Sequence, residues 1–297
     1  MCARRTAILP QALTTDGTSL VDERRDAEYV LGRSQHEYER LIEQGRVLGP
    51  ATERVLRTAG IADGMRVLDV GCGVGEVARV VHELVGDSGE ILGVDVDASA
   101  VALAEQRVRE MGANFTVVVG DICSIDVGAD FDIACCRMVL QYLPNATDAI
   151  SAMASHVKAG GVVVAHEIGP SLGSFAAYPA FPLFDQVRAW IGAAWIDSGG
   201  NPFVGVELGR RFAEAGLEPV DQPIVETACA LGDSAVAARR FRMLIESLLP
   251  VLIERDVVSE HDVDFATFEE RFRTEARTVN STVVLWPPLV GWWARRP

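Results

Sequence analysis

The sequence has 297 residues, of which 49% are hydrophobic, and its formal net charge is −15. A chain of this length and composition can bury a large core, as one domain or as one domain with a cap, and extended disorder is not expected. The negative charge repels polyphosphate and no basic patch offsets it, so a nucleic-acid partner is not expected either.

Targeting and membrane signals are absent from the pattern. No uninterrupted apolar run reaches the ~18 residues of a membrane-spanning helix, and the N-terminus lacks the long apolar segment of a secretory signal. A cytoplasmic protein without a membrane partner is therefore expected. The cysteines show no paired spacing of metal ligands, which predicts free thiols and neither a disulfide framework nor a metal site. They are Cys2, Cys72, Cys123, Cys135, Cys136 and Cys229.

The N-terminal segment 1–59 is predicted to hold an arm and cap helices. Residues 1–28 lack apolar periodicity, which is typical of a mobile or surface-laid arm. Apolar residues then recur at helical spacing over 34–48, and Pro50 predicts the start of a second short helix that ends at Gly60. Two helices are thus expected before the first strand.

Short apolar strands and amphipathic helices alternate over residues 60–168. A helix is expected after the first, second and fourth strands, and such alternation predicts a parallel sheet covered by helices on both faces. The predicted strands span 66–70, 91–95, 114–121, 131–136 and 161–167.

The alternation stops after the fifth strand, where residues 169–202 combine prolines with an aromatic-rich helix and predict a lid. Its aromatic residues either line an apolar pocket or hold the lid on its domain, and the pattern leaves both open. These residues are Phe181, Phe184, Trp190 and Trp195.

Residues 203–297 are expected to return to the sheet. The predicted elements are a helix at 203–216, a strand at 218–229, a helical cap insertion at 233–275 and a last strand at about 288–296.

The stretch with most chemical information is VLDVGCGVGEVA, residues 67–78. Asp69 ends the first strand two positions before Gly71, and glycine recurs at 73 and 75. Glycines let the backbone turn sharply and approach a ligand, and the following helix directs its free N–H groups toward that ligand. A dinucleotide motif would read G-x-G-x-x-G, whereas this one reads G-x-G-x-G after an acid. An acid there disfavours a pyrophosphate and favours a ligand ammonium group.

This stretch resembles motif I of class I S-adenosylmethionine (SAM)-dependent methyltransferases and matches its acid-x-G-x-G-x-G form in full. The resemblance implies an α/β, Rossmann-like, doubly wound fold with a mostly parallel seven-stranded sheet, an antiparallel last strand and a helical cap. It also implies that Asp69 organises the methionine end of SAM, and that the backbone at Gly71, Cys72 and Gly73 packs against it.

Two further motifs match at the ends of the second and third strands. Asp95 occupies the position of the family's acid for both ribose hydroxyls, which places Val96 beside the adenine. Asp121 corresponds to the acid that faces the adenine amino group, and Ile122 to the backbone N–H that faces the ring.

The loop CCRMVLQYLP after the fourth strand resembles the family's loop between SAM and substrate, which implies that Arg137 and Met138 contact the cofactor. Tyr29 and Gln44 resemble positions on an N-terminal helix that closes over SAM in some members. The resemblance covers residues 60–168 and is nearest to ubiquinone/menaquinone-methyltransferase-like bacterial enzymes, some of which serve natural-product pathways.

The activity that this resemblance implies is methyl transfer from SAM to a small organic acceptor, with S-adenosylhomocysteine as the product. The SAM methyl group is already electrophilic, so in-line placement and exclusion of water suffice and no catalytic dyad is required. His166 and Glu167 end the fifth strand, where either could deprotonate an acceptor hydroxyl or amine. Glu167 could instead cap a helix or pair with an arginine.

Two other functions stay open: a methyltransferase-like protein that keeps SAM as a structural ligand in a cyclase or binding protein, and an NAD(P)-dependent oxidoreductase. The glycine spacing disfavours the oxidoreductase. Nucleic-acid methylation is also disfavoured, because no proline precedes Cys135 and Cys136 as it does the nucleophile of cytosine-C5 enzymes. The acceptor, the methylated atom and the oligomeric state are not determined by the sequence.

Overall fold

The computed structural model describes residues 29–170, 174–195, 198–280 and 282–297, so the predicted arm at 1–28 lies outside the described residues. The helices are α1 (Gln35–Ala59), α2 (Glu76–Val85), α3 (Ala98–Glu110), α4 (Ala146–His156), α5 (Pro182–Trp195), α6 (Val204–Glu214), α7 (Ala235–Glu254), α8 (Glu260–Val263) and α9 (Phe268–Thr278), with a 3-10 turn at Leu140–Tyr142. The strands are β1 (Arg66–Val70), β2 (Glu90–Asp95), β3 (Phe115–Val119), β4 (Phe131–Arg137), β5 (Val157–Ile168), β6 (Ala176–Tyr178), β7 (Glu218–Pro219), β8 (Ile224–Glu226), β9 (Cys229–Leu231), β10 (Val283–Leu285) and β11 (Leu289–Arg295).

The main sheet has the order β3-β2-β1-β4-β5-β11, and β7 and β8 both pair with the outer edge of β11. The strands β1 to β5 are parallel to their neighbours, whereas β11 runs antiparallel to β5. The two short pieces β7 and β8 together occupy one edge position, which gives a sheet of roughly seven strands. The predicted α/β, mostly parallel sheet with an antiparallel last strand is confirmed.

Helices cover both faces of this sheet, which explains why its central strands read as continuous apolar runs. Side chains alternate between faces along β1: Val67 packs in a cluster with α1 and α2, whereas Leu68 and Val70 pack in a second cluster with α4 and α6. All three are at most 2% exposed. The strand is therefore held from both sides, and its carboxyl end is fixed in place.

The prediction of two helices before β1 is wrong, because α1 is a single helix that continues through Pro50. Ser34 begins it as predicted, with its side chain accepting from the amide of Glu37 at 3.1 Å. A proline inside a helix removes one hydrogen bond and costs ~3 kcal/mol. Pro50 is exposed, so water can reach the carbonyl that lost its partner, and buried residues before and after it pack on one continuous face.

The predicted strand at 218–229 is also wrong as a single element. Pro223 lacks an N–H for the ladder, and the chain bends at residues 221–222 between β7 and β8. The chain then leaves the main sheet, and β9 pairs with β10 in a separate antiparallel sheet of order β6-β10-β9.

This small sheet and the helices α5, α7, α8 and α9 form the cap, which we define as residues 174–195, 229–280 and 282–286. The sequence predicted its helices but not its sheet. The cap has its own hydrophobic core, in which Phe241 stacks on Phe272 with ring centroids 5.3 Å apart and Phe181 meets Phe272 edge-on at 4.9 Å. The assigned boundaries at 59, 168 and 202 stay predictions. In the part of the chain that the structure describes, no helix has both the length and the apolar character needed to cross a bilayer.

Candidate functional site

A cavity of about 270 Å³ lies at the carboxyl ends of β1, β2 and β4, between the sheet and the N-terminal half of α1. The structure brings all but one of the predicted cofactor residues into its lining: Tyr29, Gln44, Gly71, Cys72, Gly73, Asp95, Val96, Asp121, Ile122, Arg137 and Met138. Their roles toward a cofactor stay predictions. We call this space the first cavity.

The loop after β1 takes a backbone conformation that favours glycine. Gly71 and Gly73 have φ of 65° and 51°. A Cβ at Gly71 would overlap the side chain of Val139, so glycine is needed for the two loops to approach. A Cβ at Gly73 would meet no atom within 4 Å and would stand in open space beside the cavity. The loop therefore leaves a cradle where a ligand can contact the main chain.

Asp95 is fixed at the mouth of this cradle. Its carboxylate accepts from the amide of Gly73 at 2.8 Å and from the amide of Asp97 at 2.9 Å. Burial raises the pKa of Asp95, and these two amides oppose the rise. A carboxylate has about four acceptor positions, so Asp95 keeps capacity for two vicinal hydroxyls.

The outer end of the first cavity combines an apolar surface with an acid. Val96 is 57% exposed beside it, and Ile122 is buried at 5% exposure. Asp121 is exposed, and its carboxylate accepts from the amide of Cys123 at 2.9 Å. A flat, apolar ring with a hydrogen-bond donor at its edge fits this arrangement.

Asp69 differs from the expectation, because it does not line the cavity that Asp95 and Asp121 share. Along β1 side chains alternate between faces, and Asp69 falls on the face of Val67. It is fully buried, neither carboxylate oxygen has a hydrogen-bond partner within the described residues, and its register partner on β4 is Cys135. Burial raises its pKa to about 7, although the Arg137 guanidinium nearby lowers it.

His166 and Glu167, predicted as possible bases, lie beneath the site rather than in the cavity lining. His166 is 2% exposed, with Nδ1 3.3 Å from the hydroxyl of Thr52, and burial lowers its pKa to about 3. Glu167 accepts from the amides of Val139 and Leu140 at 2.8 and 3.0 Å, and so caps the 3-10 turn. The capping role that the sequence left open is the one the contacts show.

This cap fixes the loop that borders the first cavity. Met138 has φ of 56°, a value that residues other than glycine seldom adopt. The two backbone amides that follow Met138 both donate to Oε1 of Glu167. The Sγ atom of Cys136 lies 3.8 Å from the same oxygen. Burial raises the pKa of Glu167 to about 7, against the lowering effect of the amides.

A second cavity of about 100 Å³ adjoins the first under the cap. Arg40, Gln44, Met138 and Tyr142 line both cavities and so form a shared wall. The rest of its lining is largely apolar and comes from α1, the cap and the segment around residue 287.

The aromatic residues of the predicted lid fall into two groups, one in the core of the cap and one at the second cavity. Phe181, Phe184 and Trp190 are buried in the core of the cap, where they hold it together. Trp195 instead lines the second cavity and stacks on Tyr142, with ring centroids 5.7 Å apart. Both of the roles that the sequence left open therefore occur, in different residues.

Arg40, which belongs to α1 and to the shared wall, is neutralised by a neighbouring carboxylate. Glu37 is fully buried and accepts from the Tyr29 hydroxyl at 2.7 Å. Arg40 donates to the same carboxylate through Nε and Nη2, at 2.6 and 2.7 Å. This face of α1 thus presents aromatic and amide groups with little net charge.

Sequence reasoning missed two polar residues of the second cavity. Gln141 is fully buried, and its Oε1 has no hydrogen-bond partner within the described residues. Arg240 reaches the cavity from α7. No motif marks either one, because only the packing of the cap brings α7 opposite the loop after β4.

Residues 67–161 match the sequence model of a family described as "Methyltransferase domain". This part of the chain is a class I methyltransferase domain. It contains the glycine loop, Asp95, Asp121 and the loop of Met138, which are the features on which the predicted resemblance depends, and that resemblance is confirmed.

Known proteins resemble the chain beyond this domain. A demethylmenaquinone methyltransferase of Bacillus velezensis is 28% identical over 180 residues, which span 57% of this chain and 77% of the relative. A SAM-dependent methyltransferase from Aquifex aeolicus has a TM-score of 0.50 at 18% identity, over 65% of this chain and 93% of that one. Geranyl diphosphate C-methyltransferase from Streptomyces coelicolor, solved with Mg²⁺, geranyl diphosphate and S-adenosylhomocysteine, has a TM-score of 0.51 at 18% identity, over 92% and 89%. At such identities the solved structures show a shared fold and nothing further.

Proposed function

We propose that this chain is a SAM-dependent methyltransferase that binds the cofactor in the first cavity and a small organic acceptor in the second, and releases S-adenosylhomocysteine. The observation that carries the proposal is the pair of adjoining cavities, one with a glycine cradle and carboxylates and the other largely apolar, which share a wall. The family of the domain supports this cofactor. So do two structurally similar proteins, one described as SAM-dependent and one solved with S-adenosylhomocysteine.

The residues present fit the cofactor. The open space at Gly73 is where an added Cβ would collide with a ligand held against the loop, and Gly71 and Cys72 continue that surface. Asp95 has acceptor capacity for the two ribose hydroxyls. Val96, otherwise an exposed valine, gains an apolar partner if adenine covers it.

SAM, when bound, supplies an electrophilic methyl group on a sulfonium. The chain's own contribution is to place the acceptor in line and to exclude water. Glu167 acts as a positioning residue, since it fixes the Met138 loop between the cavities. Burial raises the pKa of Tyr142, so its hydroxyl stays protonated and able to donate a hydrogen bond at the shared wall.

Titration calorimetry with SAM and S-adenosylhomocysteine tests the cofactor site. We expect Asp95→Asn to weaken both by about 10- to 100-fold, because a hydrogen bond to a charged group contributes ~1.5–3 kcal/mol. The matched control is Asp87→Asn, an exposed position in the turn after α2 that lies outside the cavity lining, and it should bind within twofold of the unmodified chain. Absence of binding at millimolar SAM, or equal affinity for Asp95→Asn, would overturn the proposal.

Activity is tested separately, by release of S-adenosylhomocysteine from SAM in the presence of a small-molecule extract. Release that depends on both the chain and the extract supports methyl transfer. Tight SAM binding without release from any extract would instead favour SAM as a structural ligand, and tighter binding of NADH than of SAM would favour the oxidoreductase. A role in natural-product pathways stays a prediction.

A further inference from the structure

The second cavity contains a guanidinium that forms no ion pair with any carboxylate of the described residues. Arg240 lines the cavity, and within the described residues it takes part in no ion pair at or below 4.0 Å. Its Cζ lies 3.9 Å from the ring centroid of Trp286, so the guanidinium rests on an aromatic face. By contrast, Arg242 on the same helix pairs with Glu246 at 3.3 Å.

The other charged residues of this lining, Arg40 and Glu43, each pair with a residue outside it. Arg40 is bound to the buried carboxylate of Glu37, and Glu43 pairs with Arg46 at 3.5 Å. Each of these pairs is neutral, so one net positive charge is left, on Arg240, and Glu43 attracts it from across the cavity without pairing with it. The whole chain carries a net charge of −15, so the overall composition does not explain a cation in the second cavity.

The lining of the second cavity makes a buried cation costly. Leu31, Phe175, Ile191 and Met243 give the cavity an apolar lining, which cannot replace the hydration that a guanidinium loses. Burial lowers the pKa of Arg240 to about 10, with Glu43 opposing the shift, so the side chain is still charged at neutral pH. A bound anion would compensate the lost hydration.

We propose that the methyl acceptor is an apolar monocarboxylate, whose carboxylate pairs with Arg240 on the face of Trp286 and whose apolar body fills the second cavity. This rests on the proposed function, since it concerns the acceptor of the same site. The planar fork of a guanidinium matches a carboxylate in a two-bond geometry. One unneutralised cation matches one negative charge, whereas a diphosphate would leave further negative charge in an apolar chamber.

The test compares an acid with its neutral amide of the same shape. Dissociation constants of 3-phenylpropanoate and 3-phenylpropanamide are measured by ligand-observed NMR with the chain saturated by S-adenosylhomocysteine. We expect the acid to bind the unmodified chain about tenfold or more tightly than the amide. Arg240→Met should remove this preference, and Arg240→Lys should keep part of it.

Arg239→Met is the matched control, since Arg239 is the exposed neighbour on α7, and it should keep the full preference. All variants should bind S-adenosylhomocysteine within twofold of the unmodified chain and unfold at similar temperatures. An equal affinity for acid and amide, failure of both to bind, or a preference that survives Arg240→Met would overturn the inference. Failure to bind S-adenosylhomocysteine at all would overturn the proposed function itself, which separates the two outcomes.

Discussion

Asp69 is a buried acid whose cost to the fold depends on pH. Its pKa in the folded chain is about 7, whereas the ordinary value that applies to the unfolded chain is 3.8. Between these values the folded chain holds a proton that the unfolded chain has released, so rising pH favours unfolding. The stability that this group contributes is complete below about pH 4 and is lost as pH rises through 7.

Asp69→Asn should therefore reduce the loss of stability on going from pH 5 to pH 8. An amide at this position does not ionise, and the free energy of unfolding from urea titrations at both pH values measures the effect. Glu167, whose pKa is also raised to about 7, contributes in the same direction, so part of the loss will persist until Glu167→Gln is added. Asp87→Asn should leave the difference unchanged, and an unchanged difference in Asp69→Asn would contradict the argument.

At the scale of elements, the contact between α1 and α2 fixes the wall of the first cavity. Gly45 of α1 lies against Glu76, the first residue of α2, so closely that a Cβ would overlap its side chain. Glu76 is itself held by ion pairs with Arg79 and Arg107, so it cannot move freely. The two helices can therefore approach this closely only because residue 45 is a glycine.

Gly45→Ala should lower the free energy of unfolding by ~1–3 kcal/mol, because the added methyl group forces the helices apart. Gly192→Ala, on α5, is the matched change: nothing lies within 4 Å of its added Cβ, and alanine favours a helix over glycine by ~0.5–1 kcal/mol. Urea unfolding should show opposite signs for the two variants. Two variants of equal stability would show that α1 and α2 do not rely on this approach.

What the sequence predicts at this scale follows from local pattern. The first five strands and the glycine loop are found because apolar runs, short turns and the spacing from Asp69 to Gly75 are contiguous in the chain. The continuity of α1 through Pro50 is missed, since packing after that residue outweighs a local helix-breaking signal. The small sheet and the position of Arg240 are missed because both depend on contacts between distant segments. The strands β6, β9 and β10 meet only in the folded chain, and only the packing of α7 brings Arg240 to the second cavity.

At the scale of the whole molecule, the feature with a testable consequence is the large negative net charge. The chain has 42 acidic residues and 27 lysines and arginines, and like charges on a compact surface repel each other. Salt at 0.1 M screens such interactions beyond ~10 Å. Many arginines pair with acids one helical turn away, and salt weakens these pairs too, but the excess of acids decides the sign.

The midpoint of thermal unfolding at pH 7.5 should therefore rise by a few degrees between ~20 and ~300 mM NaCl, as differential scanning calorimetry would show. The same comparison near pH 4.8, the isoelectric point of the sequence, is the control, because net repulsion vanishes there and the rise should disappear. A midpoint that falls with salt at pH 7.5 would mean that surface ion pairs outweigh repulsion.

The wall of Arg40, Gln44, Met138 and Tyr142 has a consequence for how acceptor choice can change in descendants of this chain. A substitution in that wall changes the lining of the proposed cofactor site and of the proposed acceptor site together, so selection on one constrains the other. Arg240, Met243 and Trp286 line the second cavity but not the first. Under the proposed function, substitutions on α7 and in the segment after β10 can therefore change the acceptor while the lining of the first cavity stays as it is.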